Sequence, residues 1–346
     1  MSIQISKPGK LYLAGEYAVL SGQSKAIITQ TKVKLHVTIS SDTVFKISDE
    51  NQHLLMLFSS YEALVEELSE PYVKEAILFC HHYLKTLNIH LKPFHLSIES
   101  DLKVNGLEKL GLGSSAALTV AAIDACLTYH GVILEPIELY KAAVLTQIKK
   151  YPHSSFGDIA CSAFDHAITY QKFDASWLEQ NIDKAIHYLL KEPWPNLEIK
   201  KFKMPKLNVL IIYTNQPADS QVFVKTIEDK TNKDFYKTWI HETGTYVNDM
   251  ILHLDQVEHM NIMEDISKLN KQLKILQDHT NIALFTQTMI DIESKVIEAK
   301  GAFKFSGAGG GDCVIALFKN NKDCIDFKLK IKDTYHIIND MFEGLS

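Results

Sequence analysis

Gly111-Leu112-Gly113-Ser114-Ser115-Ala116-Ala117 stands directly before Ser114–His130, a stretch that is apolar almost all round and rich in alanine. These residue types at this spacing could cradle a phosphate. Two glycines let backbone come close to a ligand, and the serines can cap the helix or coordinate a cation. The first free N–H groups of a helix attract an anion, by about 0.3–1 kcal/mol at an exposed site and more where water is excluded. The string also fits G-x-G-x-x-A, a dinucleotide fingerprint. It lies more than a hundred residues into the chain, however, and the acidic residue expected about 20 positions later is absent, since Asp124 is too near and Glu135 lies past the helix. A glycine turn into a core helix is the third reading.

Three further segments could carry chemistry. Ser306-Gly307-Ala308-Gly309-Gly310-Gly311-Asp312-Cys313 holds three consecutive glycines between two apolar stretches. A hairpin needs only one or two, so the surplus suggests backbone that approaches a ligand, with a wide bulged turn as the alternative. Pro8-Gly9-Lys10 through Gly15-Glu16-Tyr17 places one lysine among apolar neighbours. That lysine either snorkels to water or is a positioned cation. In Ser154-Ser155-Phe156-Gly157-Asp158 the aspartate reads on its own as a helix cap.

The elements that must position these residues follow from periodicity. Ile3 and Ile5 alternate with polar residues until Pro8-Gly9, which predicts strand, turn, strand. Val33, Leu35, Val37 and Ile39 alternate and predict a strand over 32–40, and Phe94, Leu96 and Ile98 predict another. Helices are expected over 72–87, 114–130 and 134–150, with Gly131 as a stop. The helix over 114–130 should be buried on all sides. Residues 191–205, with three prolines and several lysines, resemble a boundary. Beyond it come an apolar strand over 207–213, a long polar helical region over about 220–300 and a strand over 314–318. The expectation is two α+β domains, 1–200 and 201–346.

Composition narrows the function. The chain has 346 residues, 46% hydrophobic and 23% charged, with a net charge of −6. Those values exclude a disordered or collagenous chain and argue against general nucleic-acid binding. No arginine is present, so all 36 basic residues are lysine and no guanidinium clamp can form. An anion must be held by lysine, backbone N–H groups, helix N-termini or a metal. The five cysteines form no C-x-x-C pair, which speaks against a disulfide scaffold or a structural zinc site. With no signal-peptide pattern and no membrane-length apolar run, the expectation is a reduced, soluble, cytoplasmic protein without membrane partners.

Taken in order, these segments resemble the GHMP kinase superfamily (galactokinase, homoserine kinase, mevalonate kinase, phosphomevalonate kinase). Its three motifs are matched by PGKLYLAGEYAVL at 8–20, GLGSSAA at 111–117 and KFSGAGGGDC at 304–313, so the likeness spans nearly the whole chain. Within the superfamily the likeness is greatest to the bacterial phosphomevalonate kinases. It rests on LYLAGEY, PFHLSIESDL at 93–102, SSFGDIA at 154–160, SGAGGGDC, and the strand to Tyr213 followed by TNQPADSQVFV.

The resemblance implies an α+β GHMP kinase fold. An N-terminal α/β domain would meet a C-terminal ferredoxin-like α+β domain, with the active site in the cleft between them. It implies ATP and Mg²⁺, with 5-phosphomevalonate converted to 5-diphosphomevalonate in the mevalonate route to isoprenoids, by a monomer or homodimer. Lys10 and Asp158 would be catalytic. Gly111, Leu112, Gly113, Ser114, Ser115 and Ala116 would bind the ATP phosphates, with Ser115 also on the metal. Lys10, Tyr17, Ser220, Ser306, Gly307, Ala308 and Gly309 would bind the acceptor. Lys149 and Lys150 are either acceptor ligands or a solvated helix end, and the latter is preferred. Three departures stand out: Asp219 beside Ser220 where relatives often have a second serine, Tyr213 where they often have Trp, and no glutamate between Tyr140 and Asp158 for a second metal ligand. Alternatives are a mevalonate kinase, in which Asp158 is a true base, another GHMP kinase, a non-catalytic GHMP-fold binding protein, and a nicotinamide-binding protein.

Overall fold

The computed structural model describes residues 2–49, 55–102, 110–218 and 220–342. A seven-stranded sheet is built from β1 (Ser2–Ala14), β2 (Lys25–Ser41), β3 (Phe45–Asp49), β4 (Leu55–Phe58), β5 (Phe94–Ser100), β6 (Ile168–Gln171) and β7 (Glu198–Lys201). The order is β4-β3-β5-β2-β6-β7, with β1 also on β2, and only the β3–β5 pair is parallel. β2 is the spine. Leu35, Val37 and Ile39 are buried on one face, as the alternation requires.

Pro8-Gly9 does not end a strand. β1 runs through it with a register shift between Pro8 and Lys10. Proline has no N–H for the ladder and is tolerated at such an irregularity. The Gly9 N–H goes to Thr31 Oγ1 (2.8 Å), and the Lys10 N–H leaves the sheet for Leu112 O (2.7 Å). The bulge thereby re-aims Lys10 toward the glycine loop.

Among the described residues seven helices accompany this sheet: α1 (Tyr61–Glu67), α2 (Pro71–Thr86), α3 (Ser114–Tyr129), α4 (Pro136–Gln147), α5 (Gly157–Phe164), α6 (Ala175–Asn181) and α7 (Ile186–Lys191). α3 is the buried one, packed against α2, α4, α5, β1 and β2. Its alanines at 116, 117, 121, 122 and 125 are all at most 2% exposed and let five neighbours approach. α4 is shorter than 134–150. Glu135 and Glu138 form a capping box and Pro136 takes the first turn, which sets its start.

The segment expected as a boundary over 191–205 contains β7, which pairs with β6. Short, charged edge strands carry little apolar signal, and the changeover between sheets lies in 202–208. The second sheet comes from β8 (Val209–Tyr213), then α8 (Ser220–Lys230), α9 (Lys233–Gln256), α10 (His259–Thr280) and α11 (Gln287–Glu298), then β9 (Ala302–Ser306), β10 (Cys313–Leu317), α12 (Asn321–Ile331) and β11 (His336–Ile337). Its order, β11-β8-β10-β9, all antiparallel, with helices after the first and third strands, is the ferredoxin-like arrangement.

Every residue of β8, β9 and β10 is buried because both faces are covered. Ile211 and Ile315 share a core with Leu11, Leu13 and Ile27 of the first sheet, while Ile212 and Val314 pack with Trp239 and Phe327. The two sheets are thus joined by a common apolar layer, and the ends of β1 and β9 meet beside it. Among the described residues no helix is long and apolar enough to cross a membrane.

Candidate active site

A cleft opens where β1, the start of α5, the β9–β10 loop and α8 converge. Lys10 enters it from β1. Its Nζ donates to Gly111 O (2.6 Å) and lies 5.6 Å from the centre of the Tyr12 ring. The glycine loop is therefore held to Lys10 by both main chain and side chain. Gly113 caps α3 in the left-handed region (φ 78°). A Cβ there would lie 3.0 Å from Lys10 Cγ and 3.5 Å from Asp158 Cβ, so these two side chains and the glycine converge on one point. Gly111 has no room for a Cβ because the Asp312 carboxylate lies against it.

The residues expected to hold phosphate form this loop and the first turn of α3. Ser114 is exposed, Ser115 half-buried, and Leu112 and Ala116 buried. No acidic side chain lies in that turn, and its first N–H groups have no partner within the helix. Ser115 O accepts from Thr119 Oγ1 (3.0 Å), which accepts from Gln147 Nε2 (2.7 Å), so α4 braces the turn.

Asp158 sits in the first turn of α5, entered through Phe156 at φ 59°. A left-handed non-glycine residue costs of order 1–3 kcal/mol and persists where its surroundings over-determine it. Here Tyr12 OH pairs with Ser155 Oγ (2.8 Å) and Tyr170 OH donates to Ser155 O (2.6 Å). Asp158 Oδ1 accepts from the Ile159 N–H (2.9 Å). Burial, reinforced by the Asp158 charge, pushes the Tyr12 phenol well above its ordinary pKa and keeps it a neutral donor.

The other wall comes from the second glycine-rich run. Tyr17 OH donates to Ala308 O, and Tyr17 O accepts from Tyr236 OH (3.0 Å). Burial raises the Tyr17 phenol pKa far beyond neutral pH. Gly307 and Ala308 line the cleft, Ser306 is buried at the end of β9, and Gly309 lies beneath against Leu284 O. Ser220 begins α8, whose Val224 lines the cleft. The Ser220 side chain and Asp219 fall outside the described residues. Lys149 and Lys150 are exposed at the end of α4 and do not line the cleft.

Sequence reasoning missed two buried charges. Lys304, fully buried on β9, donates to Glu16 on the cleft wall and to Phe305 O (2.6 Å). Burial pushes this lysine down and Glu16 opposes the shift. A lysine inside the apolar Phe303-Lys304-Phe305 strand was the available signal. Asp312 accepts from the Ala218 N–H (3.1 Å), and burial raises its carboxyl pKa, with that hydrogen bond and the Lys10 charge opposing.

No group of three or more His, Cys, Asp or Glu residues suited to a metal occurs among the described residues. Ser115 at the loop, whose side chain also meets Tyr72, and Asp158 at the start of α5 are oxygen donors of the kind a hard cation such as Mg²⁺ takes, one or two from the protein with phosphates and water completing the shell. In sum, the cleft offers a helix N-terminus, a lysine and a carboxylate within reach of one another, which is equipment for moving a phosphoryl group.

Comparison with known proteins identifies the family. Residues 71–166 match the family model described as the GHMP kinases N terminal domain, and residues 261–337 match the GHMP kinases C terminal model, together half of the chain. A phosphomevalonate kinase of Streptomyces sp. (strain CL190) is 28% identical over 330 residues, covering 90% of this chain and 88% of that one. The Lin0012 protein of Listeria innocua superposes with a TM-score of 0.87 at 26% identity, covering 98% of each chain. The Streptococcus pneumoniae phosphomevalonate kinase, solved with phosphomevalonate and AMPPNP, superposes with a TM-score of 0.84 at 24% identity, covering 97% of this chain and all of that one. The chain belongs to the GHMP kinase family.

Proposed function

We propose that this protein transfers the γ-phosphoryl group of ATP to the phosphate of 5-phosphomevalonate, giving ADP and 5-diphosphomevalonate. The observation that carries this reading is the convergence of Lys10, Gly113 and Asp158 at the start of α3. The phosphomevalonate kinases among the relatives, one solved with phosphomevalonate and an ATP analogue, support the choice of substrates.

In this reading the 111–116 loop and the α3 N-terminus hold the ATP phosphates. Ser115 would hold Mg²⁺, which would supply positive charge to the phosphate oxygens. Phosphoryl transfer depends mainly on positioning and charge stabilisation. In a chain without arginine, Lys10 is the protein's mobile cation at the transferring group. Tyr17, Ser220 and Ser306–Gly309 surround the acceptor, and the Tyr17–Ala308 hydrogen bond fixes that wall.

The acceptor decides what Asp158 does. A phosphomonoester has a second pKa of about 6 and is mostly dianionic at neutral pH. It needs no base, so Asp158 orients Lys10 or the metal. The buried, unpaired-by-disulfide cysteines fit a cytoplasmic enzyme.

The test is ADP release with Mg-ATP and either 5-phosphomevalonate or mevalonate. Turnover with 5-phosphomevalonate alone is expected. Turnover with mevalonate alone would make Asp158 a base and this protein a mevalonate kinase. Turnover with neither would overturn both assignments.

A further inference from the structure

The lysine-bearing segment that reads as a boundary borders a second hollow, apart from the cleft, and no residue lines both. Four lysines fall within 200–206. Two of them are occupied: Lys200 pairs with Glu198 (2.9 Å), and Lys201 Nζ lies 5.8 Å from the centre of the Phe164 ring. The other two, Lys203 and Lys206, are exposed and make no hydrogen bond or ion pair among the described residues. These two are the ones that line the hollow.

The hollow opens where the first sheet, the segment after β7 and the end of α9 meet. Ile27 of β2, wholly buried, lies at its base. One side comes from Phe202 and Met204 with the two lysines, the other from Ile251, Leu252 and Val257. Asp255 is the one acidic residue of the lining among the described residues. Sites for small molecules are mostly apolar, carry a few polar groups and favour such junctions.

The α9 side has two features that packing within the chain leaves unused. Leu252 and Val257 are 58% and 49% exposed, so two large apolar side chains of the wall are turned to water. Val257 also ends the helix in the left-handed region (φ 58°). Glycine or asparagine is usual there, and a β-branched residue is an outlier. Strain of this kind gathers where a ligand is clamped. A concave apolar wall accepts one inserted chain rather than a flat partner, and unpaired cations on one side call for an acid group at the end of that chain.

We propose that this hollow binds a free single-chain amphiphile with an anionic head, a carboxylate or a phosphate. The apolar chain lies between Phe202 and Met204 on one side and Ile251 and Val257 on the other, and the head meets Lys203 and Lys206. The site does not depend on the reading of the cleft, so a failure of turnover there would leave it standing.

The experiment titrates the full chain by calorimetry with decanoate, octanoate, hexanoate, decyl phosphate, decanol and inorganic phosphate. One decanoate per chain is expected. Each two-carbon shortening should weaken Kd about tenfold, because every methylene kept from water strengthens binding about fourfold. Decanoate and decyl phosphate distinguish the two heads, and decanol should bind about 5–10-fold more weakly than either, since exposed cations contribute little each. Lys203→Gln combined with Lys206→Gln should bring decanoate to the level of decanol and leave decanol unchanged. Saturating Mg-ATP should not move the Kd of decanoate.

Equal binding of decanol and decanoate would overturn the assignment of the head. Inorganic phosphate binding as tightly as decyl phosphate, or a Kd that ignores chain length, would reduce the hollow to a plain anion site. Competition by Mg-ATP would move the ligand to the cleft, and binding confined to vesicles of anionic lipid would make this face a membrane surface. Each of these outcomes defeats the proposal. Val257→Gly supplies an independent check, since it should raise the melting temperature by relieving the backbone yet weaken decanoate about threefold or more. An unchanged Kd in that variant would also overturn the proposal.

Discussion

The two glycine-rich loops look alike in sequence and use their glycines differently. In 111–113 the glycines keep clear of side chains of the site: a Cβ at Gly113 would crowd Lys10 and Asp158, and one at Gly111 would strike Asp312. In 307–311 only Gly307 has open space where a side chain would be. A Cβ at Gly309, Gly310 or Gly311 would strike Leu284 O, the Phe223 ring or Gln216 O respectively. The surplus of glycine in the second run, expected to serve a ligand, is mostly demanded by the protein's own packing. Two similar strings can thus answer to different constraints, the first set by the charged side chains gathered at the site and the second by the backbone and rings packed behind it.

Four substitutions probe that contrast. The largest effect belongs to Lys10→Met, which removes the cation from the first loop. A positioned charge at a developing anion commonly supplies about 10²–10³ in kcat, and a loss at the upper end is expected in steady-state assays, with an unchanged melting temperature. Next is Gly310→Ala. It combines a left-handed backbone (φ 70°) with collision against Phe223, so a loss of about 2–4 kcal/mol in chemical denaturation is expected. Per folded molecule, kcat should stay within about twofold. A large drop in kcat with intact stability would instead make the second loop a ligand-contacting one.

Asp158→Asn should cost about tenfold, clearly less than Lys10→Met, because a dianionic acceptor needs no proton removed. Equal or greater loss would show that Asp158 acts as a base. The smallest change is Tyr17→Phe, which deletes the hydrogen bond that straps the β1 side to Ala308. One hydrogen bond contributes about 0.5–1.5 kcal/mol, so a rise of about 2–10-fold in acceptor KM is expected while the KM for ATP holds.

What the sequence made legible was whatever repeats locally. The alternation along β2 and the alanine-rich turns of α3 stood out because one face or all faces are buried. The run through Pro8-Gly9 was misread because a bulge and a turn use the same residues, and only the Thr31 and Leu112 partners, far along the chain, tell them apart. β7 was missed because Glu198–Lys201 carries no apolar pattern. In the site, the first loop stood out from its own residues, whereas Lys10 and Asp158 were singled out only by the family resemblance, Asp158 reading on its own as a helix cap. The Glu16–Lys304 pair was not, since its members are 288 residues apart and each alone resembles a surface charge.

The apolar layer shared by the two sheets has a consequence for how the chain acquires its structure. Leu11, Leu13 and Ile27 share their core mostly with residues from beyond position 200, among them Ile211 and Ile315, and Lys304 finds its counter-ion on the early segment. During synthesis the first two hundred residues therefore emerge with an uncovered apolar face and an unfinished cleft. The early half has to wait for the late half, and the chain should melt in a single cooperative transition rather than half by half.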